Sequence, residues 1–184
     1  MNEKQCAATV NQEISEVVAQ LDEDELAVLV EAILRANRVF VCGAGRSLLM
    51  MRAFAMRLMH IGVEAYVVGE TITPAIEAGD LLIAGSGSGE TMTTLAIVKA
   101  AATRGARTVA ITAHPQSPVA QACDRVVEIP ARIVGVDNQA VSQQPPGSLF
   151  EQCLLVLGDA LVMWLMDKLG ASYDQIRARH TKLE

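Results

Sequence analysis

From Arg38 onward the hydrophobic and polar positions fall into a repeating block pattern, in which short apolar runs alternate with longer segments of helical spacing. The runs are Val39-Phe40-Val41-Cys42, Glu64 to Val68, Leu81-Leu82-Ile83-Ala84, Thr108-Val109-Ala110-Ile111 and Arg125-Val126-Val127-Glu128-Ile129. Between them, Leu48 to His60 and Thr91 to Thr103 read as helices, and Ser117-Pro118 marks a shorter helix with proline in its tolerated first position. VFVC and LLIA lack the polar alternation of a half-exposed strand, so they suit strands covered by helices on both faces. Strands joined in this way predict a doubly wound, five-stranded parallel α/β sheet.

Helices bracket this core. N-terminal helices are expected over about residues 3–35, the second opening at Asp22 with Glu25 three residues on, a capping-box arrangement. Leu26, Leu29, Val30, Ile33 and Leu34 then share one face. C-terminal helices are expected over about 148–180, the first from Ser148 to Leu169 and a short one from Ser172 to Arg179. The Ser148 helix is apolar on nearly every side, so a second copy of the chain or the N-terminal helices must cover what one sheet cannot. Glu151, Asp159 and Asp167 interrupt it, which argues against a membrane span. Ala131 to Gly147, with Pro145-Pro146, is the longest loop.

At 184 residues the chain fits a single domain, 1–184, that can bury its own core. Hydrophobic residues are 51% and aromatics only 3%, so the core is expected to be aliphatic and methionine-rich, with few platforms for stacking bases. A net charge of -6 without a basic block excludes nucleic acid and anionic membrane as main partners. An anionic ligand must therefore meet local donors. Cys6, Cys42, Cys123 and Cys153 lie far apart without a CxxC pair, which predicts reduced, buried thiols and no zinc site. Met1 to Thr9 is polar and lacks a secretory apolar core, so a cytoplasmic location is expected.

Gly85-Ser86-Gly87-Ser88-Gly89-Glu90-Thr91 stands between a strand and a well-patterned helix. Unsatisfied N–H groups at a helix start attract phosphate, Ser86, Ser88 and Thr91 add hydroxyls, and the glycines permit close approach. Ser86 to Thr91 are thus the candidate phosphate-binding residues. The loop lacks the Gly-Lys-Ser/Thr ending of a P-loop, and Gly43-Ala44-Gly45 is only a fragment of a dinucleotide fingerprint. In the second turn, Ser47 could either cap the following helix or join the site, and Arg46 could hold a phosphate or a developing enediolate.

These turns resemble those of the sugar isomerase (SIS) domain family, and within it the chain is similar to the 6-phospho-3-hexuloisomerases. The residues that carry the likeness are GAGRS (43–47), FAMRLMHIG (54–62), GSGSGET (85–91), ITAHPQSPVA (111–120), GSLFEQ (147–152) and RARHTKLE (177–184). The pattern departs at Leu48, where glycine is usual, and at Pro146, where methionine is usual. The resemblance implies a flavodoxin-like three-layer sandwich and an isomerase that interconverts D-arabino-hex-3-ulose 6-phosphate and fructose 6-phosphate in the ribulose monophosphate route. It also implies no metal or other cofactor, and a homotetramer.

Moving a carbonyl from C3 to C2 needs a base that takes the C2 proton and returns one to C3 through a 2,3-enediolate. The resemblance assigns that role to Glu151. Ser148-x-x-Glu151 is equally a capping box, so the residues alone leave both readings open. The resemblance also carries His180 to an active site, its own or a neighbouring subunit's. His60 reads as structural, and His114, at the end of a strand, stays a candidate. Two other functions remain: a different aldose-ketose isomerase, such as one for arabinose 5-phosphate, and a sugar-phosphate-binding module without catalysis.

Overall fold

The computed structural model describes residues 1–131 and 142–182. Positions 132–141 of the long loop, and Leu183 and Glu184 of the C-terminal motif, lie outside the described residues. Five strands, β1 (Val39–Gly43), β2 (Ala65–Val67), β3 (Leu81–Gly85), β4 (Arg107–Thr112) and β5 (Arg125–Glu128), form one sheet in the order β2-β1-β3-β4-β5. Every pairing is parallel.

The apolar runs divide their side chains between two cores, as strands buried on both faces must. Val39, Val41, Leu81, Ile83, Val109 and Ile111 point to one face, under α1 (Glu3–Val18), α2 (Glu23–Arg35), α3 (Gly45–His60) and α6 (Ser148–Leu169). Phe40, Cys42, Leu82, Ala84 and Ala110 point to the other, under α4 (Met92–Thr103) and α5 (Pro118–Gln121). A last helix, α7 (Tyr173–Arg179), packs against α3.

Several local expectations change. Asp22 does cap α2, accepting from Asp24 and Glu25 N–H, but the Glu25 carboxylate crosses to the β5 residue Glu128 and accepts its N–H at 2.7 Å. Tertiary contact has taken the second half of the box. Leu29, Val30 and Ile33 are buried, whereas Leu34 at the edge of that face is exposed. Met51 is the buried methionine of the core; Met56, Met59 and Met163 lie at the surface of α3 and α6. Cys6 is exposed, unlike Cys42 and Cys153. By length and composition α6 could cross a membrane, but half of its most apolar window is buried against the rest of the chain.

At the end of the sheet where β1 and β3 begin, Arg38 and Asp80 precede the two strands and clasp each other. Arg38 donates through Nε to Asp80 Oδ1 at 3.1 Å and through Nη2 to Oδ2 at 2.6 Å, while Glu77 N–H donates to Oδ2 at 2.9 Å. Burial alone would raise the pKa of Asp80, but the Arg38 guanidinium and the Glu77 N–H outweigh it and hold the carboxyl below its ordinary value. A depressed carboxyl stabilises the fold above its unfolded pKa and loses that contribution as pH falls through the folded one. Urea unfolding across pH is therefore expected to show wild-type stability declining below about pH 4 more steeply than that of Asp80→Asn. At pH 7 the variant should be less stable by about 1–3 kcal/mol.

Candidate active site

Gly43 lies level with Gly85 where β1 and β3 end. The chain winds to β2 on one side of this pair and to β4 on the other, so the crevice beyond it is the switch point where open parallel sheets bind ligands. The approach is close: a Cβ on Gly43 would lie 2.8 Å from the Gly85 carbonyl oxygen. The turns that leave these strands therefore stand side by side.

The turn after β3 is fastened on several sides. Ser86 N–H donates to Ile111 O at 3.0 Å, and Ala113 N–H and Thr112 Oγ1 donate to Gly87 O at 3.1 and 3.2 Å. Val119 N–H donates to Gly89 O at 2.9 Å. Gly89 has φ +63° and packs so closely that a Cβ there would collide with the Ser117 side chain. Ser86 Oγ accepts from Gly89 N–H at 3.2 Å, and Ser88 Oγ accepts from Glu90 N–H at 3.3 Å. A hydroxyl that accepts in this way keeps its own hydrogen to donate.

Thr91 is the N-cap of α4, yet its side chain makes no capping bond. Its Oγ1 lies 3.4 Å from Ser86 Oγ. The first-turn N–H groups of α4 thus meet no hydroxyl from Thr91 and point outward, the arrangement that holds a phosphate monoester. The loop Thr112 to Ser117 is expected at this end of the sheet from the sequence, but the contacts of Thr112 with Gly87 and of Ser117 with Gly89 are not, because they form between neighbouring loops rather than along the chain.

The turn after β1 places Arg46 and Ser47 in the first turn of α3. Ala44 is the N-cap and makes no side-chain bond, so Ser47 is the third helical residue and does not cap. The same correction applies to α6. Its N-cap is Gly147, in the left-handed region at φ +85°, and no side chain caps the helix. Ser148 therefore lies inside the helix, and the Ser148/Glu151 capping box does not form.

The Glu151 carboxylate turns instead to Arg46, whose Nη1 donates to Oε2 at 2.8 Å. The Glu151 side chain is 15% exposed and that of Arg46 45%, so the carboxylate is sheltered and the guanidinium open. Since Arg46 starts α3, Glu151 starts α6 and the Ser86 turn starts α4, three helix N-termini converge on one end of the molecule. Their partial positive charge favours an anion at this end of an acidic chain, where Arg46 is already engaged by the Glu151 carboxylate.

Glu13 is a further residue that local pattern could not reveal. Its carboxylate accepts from Ser142 Oγ at 2.6 Å, Gln143 N–H at 2.9 Å and Gln144 Nε2 at 2.9 Å. Helix α1 thereby anchors the segment that leads into Gly147 and Glu151.

His60 and His180 do not join Glu151. His180 stacks on His60, with ring centroids 4.8 Å apart and planes 19° apart. Fourteen positions separate Arg46 from His60 in α3, which at about 1.5 Å per residue is roughly 21 Å. His180 is thus at the far end of the helix whose first turn carries Arg46. His114 faces Glu128, whose carboxyl is raised by burial and by Glu25 and drawn back by His114.

Three of the thiols are poor nucleophiles: burial pushes Cys42 up to about 12 and Cys123 and Cys153 up to about 11. Among the described residues, no group of three His, Cys, Asp or Glu side chains is placed to hold a metal ion.

Against known families, residues 32–140 match the SIS domain. A Mycobacterium gastri protein named 3-hexulose-6-phosphate isomerase is 45% identical over 95% of this chain and 88% of its own. A Bacillus subtilis protein of the same name is 37% identical over 100% of both chains. A solved Methanococcus jannaschii structure, for which a 3-hexulose-6-phosphate isomerase function was inferred, superposes with a TM-score of 0.85 at 32% identity, covering 98% of this chain and 99% of that one.

The Thr91 hydroxyl, which caps nothing and reaches Ser86 Oγ at 3.4 Å, gives a direct test. Replacing a working N-cap by alanine costs about 1 kcal/mol, whereas Thr91→Ala should change unfolding free energy by less than about 0.5 kcal/mol because no capping bond is lost. Affinity for fructose 6-phosphate, measured by calorimetric titration, should fall about tenfold through loss of one hydrogen bond to a charged group.

Proposed function

The chain belongs to the SIS domain family, and from that premise we propose that it is a sugar-phosphate isomerase that interconverts D-arabino-hex-3-ulose 6-phosphate and D-fructose 6-phosphate. The observation that carries the reading is the Arg46–Glu151 pair beside the Ser86–Thr91 turn, in a chain whose near relatives bear the isomerase name. The turn holds the phosphate through the α4 N–H groups and the Ser86, Ser88 and Thr91 hydroxyls, with Gly87, Gly89 and Glu90 supplying its backbone. Arg46 and Ser47 face the sugar from the neighbouring turn.

Glu151 takes the C2 proton of the 3-ketose. The electron pair of that C–H bond forms the C2–C3 double bond, and the C3 carbonyl π pair moves to O3 to give the enediolate. Arg46 stabilises the oxyanion. Once the hydroxyl proton has passed from O2 to O3, the same carboxylic acid protonates C3 and the carbonyl re-forms at C2. No step requires a metal or an organic cofactor.

Fructose 6-phosphate is mostly a furanose closed through O5, so the reverse direction also needs an acid-base group for ring opening. We assign that role to His180, acting in the site of a neighbouring copy. The support is geometric. Helices α3 and α6 both run from the site end to the opposite end, and they expose Leu49, Met56, Met59, Val156, Met163 and Trp164, with Met163 73% exposed. Pairing this face with a second copy about a two-fold axis that runs across the helices, in the plane of the interface, reverses the partner's helices. The His180 end of each copy then meets the Glu151 end of the other.

Two such dimers make the proposed homotetramer. Free thiols fit a reducing cytoplasm, and the ribulose monophosphate route of formaldehyde fixation is the pathway that the relatives' name suggests.

A coupled assay for fructose 6-phosphate, with arabinose 5-phosphate as the competing substrate, tests the reaction. Turnover of the pentose in preference to the hexulose would overturn the substrate assignment. Glu151→Gln is expected to fold normally, since the carboxylate caps nothing, and to lose at least about 100-fold in kcat. Near-normal turnover would remove Glu151 as the base.

His180→Ala should slow the fructose 6-phosphate direction more than the other. Mixed assemblies of Glu151→Gln and His180→Ala chains should regain part of the lost activity, because one of their two kinds of site is intact. No recovery in verified mixed assemblies, or a monomeric mass in solution, would refute a shared site.

A further inference from the structure

His60, the last residue of α3, is 3% exposed, and its Nδ1 has no hydrogen-bond partner. Burial, His180 and Arg57 lower its pKa below the ordinary value, so at neutral pH the ring is uncharged. It is a flat, neutral surface fixed inside the fold.

Three contacts bring the end of α7 onto it. The His180 ring lies over the His60 ring in a near-parallel stack. Arg179 Nη1 donates to the His60 carbonyl oxygen at 3.2 Å. The Arg179 guanidinium also fills the space beside Gly62, where a Cβ would come within 3.0 Å of it. By contrast α7 has no buried residue of its own. These contacts hold the end of α7 at this junction, while Ile176 packs the helix against the core.

We propose that His60 is a positioning residue for the isomerase reaction: its buried ring is the platform that fixes the His180 imidazole for delivery into the neighbouring copy's site. This rests on the assignment of His180 as the group that opens the fructose 6-phosphate ring. His60 itself touches no substrate. Its contribution is orientational, since a buried ring stacked on one face of the imidazole keeps it in line with the ring oxygen for more of the time.

The test is a double-mutant cycle in the assembled full-length enzyme, using His60→Ala, His60→Phe, His180→Ala and the two doubles. His60→Ala should lower kcat in the fructose 6-phosphate direction about tenfold or more, with KM changed by less than about twofold. The hexulose direction should be affected less. His60→Phe retains a flat ring and should restore at least about a third of the wild-type kcat.

In the His180→Ala background neither substitution should lower kcat further. Thermal unfolding and solution mass identify any variant that fails to fold or assemble, and His60→Leu then replaces it in the cycle.

Three results would overturn the proposal. One is an equal loss from His60→Ala with and without His180, which marks a structural role. Another is a His60→Phe enzyme as impaired as His60→Ala. The third is His180→Ala with wild-type kinetics, which would also remove the ring-opening assignment, whereas the first two leave that assignment standing.

Discussion

The candidate site depends on how closely two strand ends approach each other. Gly43 and Gly85 share a register position, with so little space that a methyl group on the first would press on the carbonyl of the second. Because the strands are parallel and the winding reverses between them, both following turns open into the same crevice. One turn starts α4 and presents backbone N–H groups. The other starts α3 and presents Arg46. The candidate phosphate turn and a guanidinium are thereby neighbours in space although they are some forty residues apart in sequence.

The sheet was legible because its strands are buried on both faces. Val39 to Cys42 and Leu81 to Ala84 read as uninterrupted apolar runs, and their side chains divide between two cores as that pattern requires. Capping was less legible, since a side-chain oxygen goes to the best donor in three dimensions rather than to the nearest in sequence. Glu25 left its box for Glu128, and Glu151 left its own for Arg46.

Ser47 and Ser148 failed as caps for a simpler reason: α3 begins three residues and α6 one residue before its apolar repeat, so each serine falls inside the first turn. Glu13 and the segment 142–144 could not be paired from the chain at all, being about 130 positions apart. The methionines misled because a residue type counted toward the core is equally suited to an adaptable interface.

Helix α3 has a role at each end. Its first turn carries Arg46, and its last residue carries the ring on which His180 rests. A helix of this length separates the two by far more than a sugar phosphate spans, so one copy cannot use both ends in one reaction. The exposed Leu49, Met56 and Met59 between them are where a second, oppositely directed copy would bring the ends together. On this view the apolar surface and the distance between Glu151 and His180 are two aspects of one design.

The Arg46–Glu151 contact also explains why arginine suits this position better than lysine would. In the structure one guanidinium nitrogen, Nη1, is engaged by the carboxylate, and the side chain remains 45% exposed. A guanidinium has five donors in a rigid plane, so it can keep Glu151 aimed at the crevice while its other edge meets the enediolate oxygens. An ammonium at the same place would be drawn between base and oxyanion as a single point charge. In the proposed reaction Glu151 becomes neutral as the proton leaves C2 and negative charge grows on the sugar, so the attraction on Arg46 shifts from the one to the other. In that proposed reaction the cation would favour the enediolate without being displaced, which is electrostatic stabilisation by a group already in place.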